Sequence, residues 1–395
     1  LETRITETLP TWVEVDLDAF HDNVHLIRTK LAKGVRVLLV TKADAYGHGA
    51  VHLAPVVQDA VDYFGVATVD EAVELAALGL RRRLLVMTPI LTEEVATVVE
   101  KGFGVTVAAA SVAKALSQAA SRRSIRVEVH VEVDTGMGRT GVLPGELPDL
   151  LDEITKLPGV QLGGVFTHFP DAESDLEFTR RQVNDFRATV DRARKQGIEI
   201  PVLHCANSAA IASLPESQLD MVRPGLMAYG YRPASPNDPW TVRPIARWKC
   251  RIAQLRHIPS GASVSYGRTF RAGRPTTMAV LPVGYGHGYS IRLSNCGEVI
   301  VGGSRAPIIG RVTMDMTMVD VTDVSPQPRP GDEVVLLGEA GGSAVTVADL
   351  ARWAGTIPHE VLTAIKRRVP RLYIRDGKVE AVRSILGVSR DDEGV

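Results

Sequence analysis

The chain has 395 residues with 45 basic against 46 acidic side chains, a formal net charge of -1. No like-charge block exceeds short runs such as Arg81 to Arg83, so a nucleic-acid surface or an anionic membrane would find no basic field here. The length exceeds what one hydrophobic core usually supports, which implies two domains. Three cysteines, Cys205, Cys250 and Cys296, are widely spaced and odd in number. That argues against a disulfide framework or a zinc site and for a reducing, cytoplasmic setting. The first stretch, LETRITETLPTW, carries charges and no apolar centre, and no apolar run reaches membrane length.

In chain order, strand-like runs are predicted at 37–41, 64–67, 84–87, 104–107, 127–133, 160–166, 201–204 and 221–222. Helical patterns lie between them, among them 70–78, 92–100, 111–120 and 176–196. Strands alternating with helices in this way predict a (β/α)8 barrel of the TIM type, with an open doubly wound sheet as the competing arrangement. Polar, glycine-bearing segments follow the strands: KADAYGHG, TVDEA, DTGMGR, THFPDAE, CANS and RPG. Barrel enzymes build their sites from such loops at one face.

The run RVEVHVEVD carries a sharper signal, because side chains alternate along a strand. In a closed barrel Val127, Val129, Val131 and Val133 would face the helices, while Glu128, His130, Glu132 and Asp134 would face the interior. Buried charges need partners, and Arg139 in the next loop is the nearest cation. On an open sheet the same alternation would be a solvated face.

After residue 240 the texture changes. Strand-like runs at 242–258, 278–283, 298–301, 307–311, 316–321 and 333–337 are punctuated by PSGA, RPGDE and GGS turns. A helical pair at 347–353 and 359–367 follows, then strands at 371–375 and 378–382. The expected organisation is a cofactor-binding barrel over 12–240 and a mainly β C-terminal domain over 241–386.

Lys42 ends the first barrel strand. A lysine there ordinarily just carries its ammonium to water. In a barrel, however, it faces the same mouth as the loops after the seventh and eighth strands, where many barrels hold a phosphate. Those loops read ANSAA, with Asn207 and Ser208 opening a helical segment, and RPGLMAYG, where Gly225 allows close backbone approach. A lysine beside a phosphate cradle suggests pyridoxal phosphate held as a Schiff base. No metal-ligand spacing is present.

KADAYGHG, DTGMGR, HCANSAA, RPGLMAYG, VSYGRTF, PVGYGHGY, GRVTMDMTMVDV and RRVPRLY, in this order, resemble the bacterial alanine racemases from about Trp12 to Leu386. The resemblance implies a pyridoxal 5'-phosphate-dependent isomerase that interconverts L- and D-alanine as a homodimer with shared sites. Lys42 would bind the cofactor covalently and act as one base, and Tyr266 of the partner subunit as the base on the opposite face. Arg223 would lie against the pyridine nitrogen. Tyr46 and Ser208, with Asn207 and the backbone at Gly225, would hold phosphate, and His168 and Tyr229 would border the cofactor. Arg139 would reach the phenolic oxygen or the substrate carboxylate. Tyr285, Met314 and Asp315 would line the substrate pocket from the partner.

The chain departs from the family at three positions. Many relatives place a lysine, often carbamylated, where Glu132 stands, so Glu132 is expected to clamp Arg139 without modification. Arg367 replaces a tyrosine before RVPR and could bind phosphate or alter the side chain admitted. His287 replaces the aspartate of GYADGY. These departures keep open a racemase of another or broader amino-acid range, in cell-wall precursor supply or in a specialised biosynthesis. Readings of a different class are a pyridoxal-phosphate decarboxylase, which would not need the VSYG tyrosine, and a non-catalytic cofactor carrier, which would not need the second domain.

Overall fold

The computed structural model describes residues 8–80, 83–231 and 240–390; the first seven residues, Arg81 and Arg82 lie outside them. Strand β1 (Thr11–Asp16) and helix α1 (Leu17–Lys30) come first. Then follow β2 (Arg36–Val40), α2 (Ala50–Val57), β3 (Tyr63–Val66), α3 (Val69–Ala76), β4 (Arg83–Pro89), α4 (Val95–Lys101), β5 (Gly104–Val107) and α5 (Ala110–Ser121). The series continues through β6 (Val127–Glu132), α6 (Leu147–Thr155), β7 (Val160–Phe166), α7 (Leu176–Lys195), β8 (Leu203–Asn207), α8 (Ser208–Ser213) and β9 (Met221–Arg223). Strands β2 to β9 pair in parallel with their neighbours, and β9 closes on β2 through Arg36 with Met221 and Val37 with Val222. Closure decides for the barrel over the open sheet. The seventh barrel strand opens at Leu203, two residues later than its pattern, because Pro201 has no N–H to give a ladder.

Local chemistry explains the helix limits. Thr68 and Glu71 form a capping box at the start of α3. Gly102, in the left-handed conformation, ends α4. Asp175 caps α7 through the Phe178 N–H, and Arg192, Arg194 and Lys195 sit in its last turn, where the helix dipole favours cations. Val127, Val129 and Val131 of β6 are buried, as is Val133 just beyond it, and the alternate side chains His130 and Glu132 are buried too.

The second set of elements is β10 (Ala246–Arg251), β11 (Gln254–Ile258), β12 (Ser263–Val264), β13 (Phe270–Arg271), β14 (Thr276–Leu281), β15 (Glu298–Val301), β16 (Ser304–Pro307) and β17 (Thr317–Asp320). It ends with β18 (Glu333–Ala340), β19 (Ser343–Val345), α9 (Val347–Ala354), α10 (Pro358–Thr363), β20 (Arg371–Arg375), β21 (Lys378–Ser384) and β22 (Gly387–Arg390). One sheet runs β16-β15-β18-β10-β1-β20-β21-β22, with β19 on β18, and a smaller one runs β11-β14-β17. Strand β1, counted with the barrel on sequence grounds, pairs here between β10 and β20. The run at 242–258 is two strands, and the strand expected at 307–311 lies earlier. A tight turn at Gly302 and Gly303 pairs Val301 with Ser304, and Gly310 at φ +76° leads the chain away.

Contacts divide the chain into two units. One holds residues 21–45 and 50–242; the other holds the described residues up to Phe20, Tyr46–Gly49 and those from Arg243 on. Among the described residues no helix is long and apolar enough to cross a membrane.

Candidate active site

In the barrel unit, β2 delivers Lys42 through the buried Thr41. The chain then enters a left-handed turn, with Ala43, Asp44, Ala45 and Tyr46 all at φ between 52° and 55°. Such residues cost about 1–2 kcal/mol each relative to right-handed backbone, so the turn persists because hydrogen bonds hold it. Glu71 accepts from the Ala43 N–H (2.7 Å) and, with its other oxygen, from the Ala67 N–H (2.7 Å). Asp44 accepts from the Ala50 N–H (2.9 Å). Burial in the mouth, followed by the positive field of Arg139, holds the Lys42 ammonium below its ordinary pKa, with Glu71 opposing and Arg223 adding to the fall.

Arg223, at the end of β9, is buried. Its Nη1 donates to His204 Nδ1 (2.9 Å), and its Nη2 donates to the carbonyls of Thr167 (2.9 Å) and Cys205 (3.1 Å) and to His168 Nδ1 (3.2 Å). Its Nε–H has no partner among the described residues. Burial lowers the guanidinium to about 10, so it is still charged at neutral pH. Burial, and then the charges of Arg223, Arg139 and Lys42, depress His168 to about 3. Its imidazole is therefore neutral and accepts at Nδ1.

Ser208 Oγ accepts from the backbone N–H groups of Gly225 (2.9 Å) and Met227 (3.2 Å), drawing the loop after β9 onto the start of α8. Asn207 caps α8 through the Ala210 N–H (3.0 Å), so its carbonyl is committed to backbone. Tyr229, grouped with the cofactor-binding residues by resemblance, donates its hydroxyl to the Val40 carbonyl (2.8 Å) and is fully buried. It anchors the strand end that presents Lys42.

The expected Glu132–Arg139 clamp is absent. Asp134 gathers the N–H groups of Gly136, Met137 and Gly138, which coils the loop and brings Thr140 over β6. The Thr140 hydroxyl donates to Glu132 (2.6 Å). Arg139 is exposed and makes no hydrogen bond or ion pair among the described residues. The Glu132 charge instead acts on Arg223, opposing the fall in its pKa.

In the second unit, Tyr46 is buried beside His359, with ring centroids 5.6 Å apart, and burial raises its phenol to about 12. Arg371 donates to the carbonyls of Gly47 (3.1 Å), Ile365 (2.6 Å), Lys366 (2.6 Å) and Val369 (2.7 Å). It ties the first motif to the last and draws carbonyls out of any helix beyond Thr363. Tyr266, 71% exposed, stands on a turn between β12 and β13. Tyr285, Met314 and Asp315 are exposed too, and Asp315 pairs with Arg368 (2.9 Å). His287 is buried, with its Nδ1 accepting from the Gly284 N–H (3.2 Å), so it braces its own turn. Arg367 is exposed.

Comparison with known proteins decides what this arrangement is. The alanine racemase N-terminal domain matches residues 15–233, and the alanine racemase C-terminal domain matches residues 245–373. The chain belongs to the alanine racemase family. It is 42% identical to alanine racemase 2 of Caldanaerobacter subterraneus subsp. tengcongensis over 386 residues, which is 97% of this chain and 99% of that protein. The solved alanine racemase of Clostridium difficile 630 superposes with a TM-score of 0.89 at 34% identity, over 95% of this chain and 99% of that one. The Bacillus anthracis alanine racemase with bound L-Ala-P gives 0.89 at 32%, over 96% and 98%. Like the rest of the family, the chain is a pyridoxal-phosphate-dependent racemase that works as a homodimer with sites shared across subunits.

Three contributors escaped the sequence reading. Glu71 was readable as half of a capping box but not as the acceptor for the turn after Lys42. Arg371 lay inside a quoted motif without a role. His204 likewise opened the quoted motif HCANSAA without a role, because its partners come from other strands.

Proposed function

We propose that the chain interconverts L- and D-alanine in the cytoplasm, using Lys42 on one face of Cα and the partner subunit's Tyr266 on the other. The observation that carries this is the Lys42 amine, held below its ordinary pKa and reachable by solvent, beside a buried arginine whose Nε–H is unspent. The barrel unit's donor set fits pyridoxal phosphate: an amine for the aldehyde, a guanidinium for the ring nitrogen, and the Ser208 hydroxyl for the phosphate.

When bound, the cofactor supplies an electrophilic carbon for the amino group and a ring that delocalises the electron pair left at Cα. Lys42 takes or returns the Cα proton on its own face, a role served by an amine that deprotonates readily. Tyr266, open to contact on its turn, does the same from the opposite face, so the proton returns with inverted configuration. Arg223 would hold the ring nitrogen as a donor that keeps its own proton, which would leave that nitrogen unprotonated and limit side reactions. His168, neutral and accepting, fixes the guanidinium plane. Arg139, with no hydrogen bond or ion pair among the described residues, would take the phenolic oxygen or the substrate carboxylate, and Tyr285, Met314 and Asp315 of the partner subunit would line the pocket.

Arg367 supports a second reading, a different or broader side-chain range, because it adds an exposed cation where the family resemblance implies a tyrosine. His287 gives that reading no support, since it is buried and its Nδ1 accepts within its own turn. A panel of L-amino acids incubated with the cofactor-loaded protein in deuterated water separates the two. Deuterated D-alanine above every other product is expected. Exchange concentrated in another amino acid would move the specificity to Arg367, and carbon dioxide release without exchange would overturn the racemase assignment.

A further inference from the structure

The interior of a parallel barrel is ordinarily filled by apolar branched side chains, yet here a line of polar groups crosses it from Arg223. His204, fully buried on β8, accepts from Arg223 at Nδ1 and contacts His130 Nδ1 with its Nε2 (3.0 Å). His130, fully buried on β6, contacts Glu128 Oε1 with its Nε2 (3.1 Å). Glu128 also accepts from the Tyr63 hydroxyl (2.9 Å) and from Arg83 Nη1 (2.6 Å), and Arg83 is largely solvent-exposed. The surroundings are shaped for this line. Phe166 stacks on the His204 ring (4.7 Å, 16°), and Tyr63 meets His130 edge-on. A Cβ on Gly163 would stand 2.5 Å from Glu128 Cγ and 2.7 Å from His130 Nε2, so β7 leaves out a side chain where the line passes.

One pattern of protons satisfies every link. Arginine only donates, so His204 Nδ1 accepts and its proton sits on Nε2. That N–H needs an acceptor, so His130 Nδ1 is bare and the His130 proton also sits on Nε2, facing a carboxylate that only accepts. Both rings are neutral in a single tautomer, each fixed by the partner on its other nitrogen.

The geometry points to His204, His130 and Glu128 as a positioning relay that orients the Arg223 guanidinium, with the Glu128 carboxylate as the acceptor on which the line ends. Burial opposes the ionisation of Glu128, but the His130, Tyr63 and Arg83 partners outweigh it and hold the carboxyl below its usual range. The effect on catalysis rests on the proposed contact between Arg223 and the ring nitrogen; the tautomers do not.

The test is nitrogen NMR of the holoenzyme labelled with 15N-histidine, alongside the visible spectrum of the bound cofactor and steady-state kinetics. Wild-type protein is expected to show His204 and His130 both protonated at Nε2 alone. Glu128→Gln keeps an acceptor for the His130 Nε2–H but a weaker one, so the tautomers should hold while the His130 nitrogen signals and the cofactor absorption band shift and kcat falls on the order of tenfold with little change in KM, the scale on which an orienting partner behind an imidazole acts. Tyr63→Phe, a milder change at the same carboxylate, should move the same signals less. A wild-type Nδ1 proton on either ring overturns the relay without any variant, and so does a folded Glu128→Gln protein with unchanged nitrogen signals and cofactor spectrum. If the tautomers are as stated but Arg223→Lys leaves the cofactor band unmoved, the ring-nitrogen contact fails and the relay stands only as a scaffold.

Discussion

A proton can leave Lys42 readily because burial and two arginines disfavour its charged form, and this sets what substitution should do. Lys42→Arg keeps a cation but offers a guanidinium that holds its proton and cannot join the cofactor. Racemisation should fall by about 10³-fold, within the range that one acid–base group contributes, and the absorption band of the covalently held cofactor should vanish from the purified protein. A variant retaining both would place the reactive amine elsewhere. His168 makes a pH argument of its own. Folded, it stays neutral down to about 3, whereas in the unfolded chain it takes a proton near the ordinary histidine value of about 6.5. The unfolded chain therefore binds the extra proton first. The stability that His168 contributes is fully present above about pH 6.5 and is lost progressively as pH falls towards 3. His204 moves in the same direction, through burial and then the Arg223 charge. Denaturant midpoints of the wild type should fall more steeply between about pH 7 and pH 4 than those of His168→Gln; parallel slopes would mean the imidazole is not held neutral.

At the scale of elements, the turn after β2 shows where sequence patterns stop being informative. The strand before it was readable from Val37 to Thr41, because buried parallel strands are apolar runs. Nothing in Ala43, Asp44 and Ala45 announces left-handed backbone, since that conformation is imposed by Glu71 from α3 and by the tie to Ala50. The inward face of β6 was legible by alternation alone. Its partners were not, because they sit on β3, β4 and β8, and pairing among distant strands leaves no mark at short range. The Glu132–Arg139 expectation failed for a local reason: Asp134 coils the loop after β6, and Thr140 rather than Arg139 takes the contact. The glycines of KADAYGHG are constrained twice over. Gly49 sits at φ +106°, and a Cβ there would stand 1.9 Å from the Tyr373 hydroxyl oxygen. Gly49→Ala should destabilise the protein by about 3 kcal/mol, combining the backbone cost with overpacking. Tyr373→Phe added to it should restore only part, because the backbone angle remains; thermal melts of the two variants give the comparison.

At the scale of the whole molecule, the two halves of the chemistry lie in separate units: Lys42 and Arg223 in the barrel, and Tyr266, Tyr285 and Met314 on exposed turns of the β-rich unit. Large apolar side chains left in water on such turns are candidates for burial against another surface. In a symmetric dimer with head-to-tail sites, each subunit lends its exposed turns to its partner's barrel. That arrangement makes a prediction no single-chain site could satisfy. Lys42→Ala and Tyr266→Phe subunits should each be inactive as homodimers, one lacking the covalent base and the other the opposite-face base. Coexpressed with distinguishable tags, they should form mixed dimers, in about half of the population if assembly is random. In such a dimer one site is doubly defective, while the other combines the intact lysine of one chain with the intact tyrosine of the other. Racemase activity should therefore reappear at about a quarter of the wild-type level per subunit and copurify with the mixed species. If the Lys42 and Tyr266 of one site came from the same chain, every site in every dimer would carry one defect, and no mixture would recover activity.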